Sequence, residues 1–160
     1  MNLFPWLLYA HILGAIIAFG PTFSHRFIGA MGGAEPQHRN FALRVSLKLA
    51  GTQTIPLAIV QGVTGVGLIF TSDIDFGAAV WLQTAIVLYV ITVAYALAVQ
   101  TPAVKQLVEM TAGGPPPAGA AAGGPPPAAV ALVKRVQRGG MFLAVLVVTI
   151  VFLMVIKPAF

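Results

Sequence analysis

His11, Ala15, Ala18, Thr22 and His25 follow one another at spacings of four, three, four and three. At about 3.6 residues per turn, that spacing draws one line along a helix. The line carries an imidazole at each end and only small side chains between. Such a strip can pack closely on another helix or leave room for a planar ligand. His11 sits in an apolar run, and an ionisable group inside a membrane is a functional hypothesis by default. It can ligate haem iron, relay a proton, bind a metal, or stay neutral in a hydrogen bond to another helix. His25 lies beside Arg26 near the border of the same run, and His38 is a loop residue.

Haem b is the cofactor these histidines raise, with His11 and His25 the candidate ligands. The two lie about 20 Å apart by helical rise, so they cannot share one iron. The other apolar stretches contain no histidine. A single-His site, a His–Met pair using Met141 or Met154, or a site shared across a dimer remains open. Transport is a further alternative. It needs polar groups near the midplane, and Gln61, Thr64 and Thr92 join His11 there. Pro56 and the Gly20-Pro21 pair interrupt helices as some substrate sites do. No acidic residue lies inside an apolar stretch, which disfavours carboxylate proton relays. There is no Ser-His-Asp set, phosphate loop or clustered metal-ligand pattern, so no catalytic residue is assigned. With no cysteine, disulfide and thiolate chemistry are excluded.

The elements that position these residues are read from charge. The chain is 58% hydrophobic and 8% charged, with mean hydropathy +0.92. A soluble domain is about 25% charged, so lipid must solvate much of this surface. Four stretches, 3–23, 49–70, 78–99 and 140–156, are almost free of charge and count 21, 22, 22 and 17 residues. A crossing needs about 20. Eight of the nine Lys and Arg residues sit in two of the connections: Arg26, Arg39, Arg44 and Lys48, then Lys105, Lys134, Arg135 and Arg138. By the positive-inside rule those connections are cytoplasmic, and both termini face out. The net charge of +5 therefore reads as topology and headgroup contact, not nucleic-acid binding. Met1 to Phe4 carry no base, so 3–23 is expected to stay as the first helix rather than act as a signal peptide.

Trp6, Tyr9 and Trp81 suit the outer interface. Gly20-Pro21 predicts a kink, with helix continuing to about Met31 before Gly32-Gly33. Glu35-Pro36 reads as a fresh start, leading through an amphipathic turn or two into the second span. Gly62, Gly65 and Gly67 allow close helix approach. Thr101-Pro102 reads as the N-cap and first position of a short continuation. The Gly/Pro/Ala-rich segment 111–128 reads as a cytoplasmic linker. The expected fold is all-α: one polytopic domain, 1–160, with four transmembrane helices in an antiparallel bundle.

The string LYAHILGAIIAFGPTF (Leu8–Phe23) resembles the start of a bacterial family of integral membrane proteins, the family of unknown function numbered 2269. PQHR (Pro36–Arg39), IPLAIVQGVTGVGLIF (Ile55–Phe70) and the Trp81–Met110 stretch ending TPAVKQLVEM fit the same picture. The resemblance implies a four-helix inner-membrane protein and supplies no activity. The H-x-x-G piece, His11–Gly14, is also similar to helices of copper-resistance membrane proteins and of a haem-associated protoporphyrinogen oxidase family, whose other histidines this chain lacks. The expected protein is a small, non-enzymatic, multi-pass protein of the bacterial plasma membrane. Lipid is its first partner, with a homo-oligomer or larger membrane complex next. Gly14, Ala15, Ala18 and Thr22 are expected to pack against Gln61 and Gly65. The alternatives are a haem b redox protein using His11 and a dimeric small-solute transporter.

Overall fold

The structure, a computed structural model, describes residues 3–114 and 126–158. Among these there are helices and turns and no strand. The first long helix, α1, is Phe4–Ala34. A short 3₁₀ turn, Pro36–His38, leads into α2, Arg39–Leu49. A π-helical turn, Ala50–Thr54, joins α2 to α3, Ile55–Thr71. The second half has α4 (Val80–Tyr95), a π-helical turn (Ala96–Gln100), α5 (Thr101–Met110) and α6 (Pro127–Ile156).

Four continuous helical rods result, of 31, 36, 31 and 30 residues, each long and apolar enough to cross a membrane. At about 1.5 Å per residue each is roughly 45 Å or longer. The hydrocarbon core is about 30 Å thick, so every rod has a turn or more to spare. The surplus lies at the basic end. There Ala103, Leu107 and Leu132 are buried against Leu43, Val133 and Val136. Asn40 Nδ2 donates to the Val108 carbonyl at 2.8 Å and to Thr111 Oγ1 at 3.0 Å, fastening α2 to α5. Outside the hydrocarbon this small cluster is held by the hydrophobic effect, about 1.5–3 kcal/mol per fully buried leucine. Inside it, packing and interhelical hydrogen bonds must serve instead.

Within the bundle, α1 packs most closely on α3 and also touches α6, while α4 packs on α6. The α3–α4 pair meets mainly through Tyr89, whose hydroxyl donates to the Ala58 carbonyl at 2.7 Å. In the connection before α4, Asp75 Oδ1 accepts from the Gly77 N–H at 2.9 Å, and Gln83 Nε2 donates to the Phe76 carbonyl at 2.7 Å. At the same end Lys157 closes α6 in the left-handed region, φ 47°, and its Nζ lies 5.5 Å from the Trp81 ring centroid.

Of three prolines inside the rods, two account for the π turns. Pro21 lies within an unbroken α1. Its missing N–H strips the Ile17 carbonyl of its helical donor. Gln53 Nε2 supplies the replacement at 2.7 Å. Pro56 and Pro102 each stand second in the helix that follows a π turn. A wide turn resets the hydrogen-bond ladder, so each proline occupies a first-turn position where no donor is needed. Thr101 is therefore not an N-cap at a break. Its hydroxyl donates backward to the Ala96 carbonyl at 2.8 Å, and the rod runs on. Of the linker expected at 111–128, residues 115–125 lie outside the described residues, and α6 begins at Pro127.

Candidate functional site

The α1–α3 seam gathers most of the residues singled out in the sequence. Small residues and polar groups alternate along it, so each large group on one helix meets a gap on the other. Leu7 fits over Gly67, where an added Cβ would meet Leu7 Cδ1 at 3.3 Å. His11 lies over Gly65, where a Cβ would stand 3.2 Å from His11 Cε1. Gln61 lies over Gly14, where a Cβ would stand 3.0 Å from Gln61 Oε1. A side chain at 14 or 65 would have to push its opposite neighbour back by a few tenths of an ångström.

His11 Nδ1 is 2.9 Å from Thr64 Oγ1. That hydroxyl is also 3.0 Å from the Val60 carbonyl and 3.1 Å from the Gln61 carbonyl. A threonine hydroxyl has one hydrogen. If it goes to the α3 backbone, Oγ1 accepts from Nδ1–H, and Nε2 keeps the ring's lone pair. If it goes to Nδ1, Nε2 carries the hydrogen instead. Either tautomer joins α1 to α3 through a neutral imidazole. Gln61 is 8% exposed, and its Oε1 has no conventional donor.

Further along the line, Ala18 is fully buried, at 0% exposure, and Ala15 is partly buried. Thr22 leaves the seam and borders a partly open, mainly apolar cleft of about 50 Å³, with Thr54, Ala58, Thr92 and Leu97 among its other walls. His25 has a buried Nδ1 with no hydrogen-bond partner. Neither histidine borders the cleft. Among the described residues no three His, Asp or Glu side chains come together as a metal-holding group.

A second concavity, about 380 Å³, is an open groove lined by Ile59, Gly62, Val63, Val66 and Tyr89. Gly62 is its key residue: a Cβ there would stand 2.7 Å from Tyr89 Oη. Three interhelical contacts were missed in the sequence: those of Gln53, Gln100 and Tyr89. Gln100 Nε2 donates to the Val136 carbonyl at 3.0 Å, and an added Cβ at Gly139 would run into Gln100 Oε1. For Gln53 a signal existed, because Pro21 strips the Ile17 carbonyl and some neighbour has to supply a donor. For Tyr89 and Gln100, nothing in the sequence says which helix they face.

No curated protein and no solved structure matches the chain. A family model described as "Predicted integral membrane protein (DUF2269)" matches residues 5–158. With four membrane-length apolar rods and that match across nearly its whole length, the chain belongs to this family of integral membrane proteins.

Proposed function

We propose that the protein is a non-enzymatic component of the bacterial plasma membrane that acts through association, as a homo-oligomer or as a subunit of a larger membrane complex. The observation that carries this reading is the engagement of His11. Its imidazole is bonded to Thr64 and laid on Gly65, so the histidine deep in the outer half serves helix packing. Both termini face outward in this reading. The support is that the eight basic residues of the two connections gather at the opposite end, where they meet anionic headgroups.

Haem b at His11 is the second reading. The arrangement that favours it has Nδ1–H donating to Thr64, which leaves Nε2 with a lone pair, as an iron-ligating histidine needs. A reduced-minus-oxidised absorbance spectrum of protein purified from haem-sufficient cells separates the two. A flat spectrum is expected. A stoichiometric Soret band that His11→Ala abolishes would replace the packing reading with the redox one. Tag accessibility on intact cells tests orientation, and a C-terminal tag reachable only after permeabilisation would overturn it.

A further inference from the structure

All four rods are locally weakened at one level. In the second rod the weak point is the π turn Ala50–Thr54, with Pro56 just beyond it. In the third it is the π turn Ala96–Gln100, with Pro102 just beyond it. The first rod has Gly20-Pro21 and the fourth Gly139-Gly140. Prolines, glycine pairs and π bulges are the places where helices bend. Two hydrogen bonds set these points side by side in pairs. Gln53 of the first π turn donates to the Ile17 carbonyl of α1, four residues before Pro21, and Gln100 of the second donates to the Val136 carbonyl of α6, four before Gly140. The apolar cleft puts the two pairs at the same level, since Thr22, Thr54, Ala96 and Leu143, one from each rod, all border it.

Packing thins at this level and resumes on either side of it. No residue of either π turn is fully buried. Buried residues lie toward the outer end, such as Ala18, Ala58 and Thr92, and toward the basic end, such as Ala103, Leu107 and Leu132. Gly139 is the exception, covered by Gln100. A Cβ added at Gly20 or Gly51 would meet nothing within 4 Å. Charge divides along the same line. All eight basic residues of the two connections fall on the basic-end side, from Lys48 just before the first π turn to Arg138 just before Gly139. Sparse packing between two better packed regions is where a structure opens or bends most readily.

We propose that this level is a hinge plane, across which the basic end tilts as one body against the outer part of the bundle. Asn40 ties the basic body together through its bonds to Val108 and Thr111, around the Leu107–Leu132 cluster. The α1–α3 seam with its His11–Thr64 bond, and the packing of α4 on α6, hold the outer body. Gln53 and Gln100 are the latches, each crossing from a π turn to the neighbouring rod. The partly open cleft gives the two bodies room to move without disrupting a packed core. Because the eight bases lie on the tilting body, the pull of anionic headgroups acts there.

The chain has no cysteine, so spin labels attach only where cysteines are introduced. Pulsed electron spin resonance in lipid nanodiscs then compares three labelled pairs at exposed positions. Phe41→Cys with Val148→Cys spans the plane, Phe41→Cys with Arg135→Cys lies within the basic body, and Val63→Cys with Val148→Cys lies within the outer one. Releasing the latches with Gln53→Leu/Gln100→Leu should widen the spanning distance distribution by about twofold and leave both internal pairs unchanged. Adding Pro56→Ala/Pro102→Ala, which lets each π turn close as ordinary α-helix, should narrow it again. A spanning distribution that the leucine pair leaves unchanged overturns the proposal. Widening of all three pairs together also overturns it, because the glutamines would then be general fasteners of the bundle. A width that the proline substitutions do not reduce removes the π turns from the hinge and is equally fatal.

Discussion

Gly62→Ala is expected to unfasten α3 from α4. The new Cβ would lie 2.7 Å from Tyr89 Oη and 3.3 Å from its Cζ. Ordinary contact needs about 3.5 Å or more, so the ring must retreat from α3. The hydrogen bond to the Ala58 carbonyl, 2.7 Å long, goes with it. An interhelical hydrogen bond in a membrane protein is worth about 0.6 kcal/mol on average and about 1.7 at most. Overpacking adds about 1–3 kcal/mol. Against this, alanine gains up to about 1 kcal/mol of helix propensity over glycine. The net cost should be about 1–3 kcal/mol. Tyr89→Phe alone should cost only the hydrogen bond. In the Tyr89→Phe background the closest clash has disappeared, so Gly62→Ala should turn neutral or stabilising. Denaturant unfolding in mixed micelles, followed by circular dichroism, measures all four corners of this cycle. Effects that add to within about 0.5 kcal/mol would show that Gly62 and Tyr89 do not interact, and the assigned α3–α4 contact would fall.

Thr64→Val, which keeps shape and removes the hydroxyl, should cost about 0.6–1.7 kcal/mol and nothing further in a His11→Ala background; additive losses would deny the His11–Thr64 bond. Gln53→Leu should destabilise the wild type but have little effect beside Pro21→Ala, since alanine restores the donor for the Ile17 carbonyl; an equal cost in both backgrounds would refute that pairing. Asn40→Ala removes the bonds to Val108 and Thr111 and should speed amide exchange in α2 and α5 while leaving the Thr71 end of α3 protected. Uniform loosening of the whole chain would contradict a separately fastened basic end.

The four-rod fold was legible because charge is so expensive in hydrocarbon that its absence marks each span. The same signal stops at the membrane border. Beyond it, helix to about Met31 and an amphipathic lead into the second span were read from Gly32-Gly33 and Glu35-Pro36, and the structure carries α1 to Ala34 and joins α2 to α3 through a π turn. Those extensions depend on Asn40 and on the Leu107–Leu132 cluster, contacts between segments far apart in sequence. Proline was read as interruption, yet Pro21 is accommodated by Gln53, and Pro56 and Pro102 by π turns. The line from His11 to His25 was visible by periodicity. Its division into a part packed on α3 and a cleft-facing part nearer the basic end was not, because that depends on which side chain opposes each position.

Native mass spectrometry of the protein released directly from membrane vesicles tests the central claim most directly, because one spectrum reports oligomers, partners and bound haem together. The packing-and-association reading predicts assemblies heavier than the 16.7 kDa chain, without haem mass. A bare monomer, or a species carrying one haem per chain that His11→Ala eliminates, would contradict it.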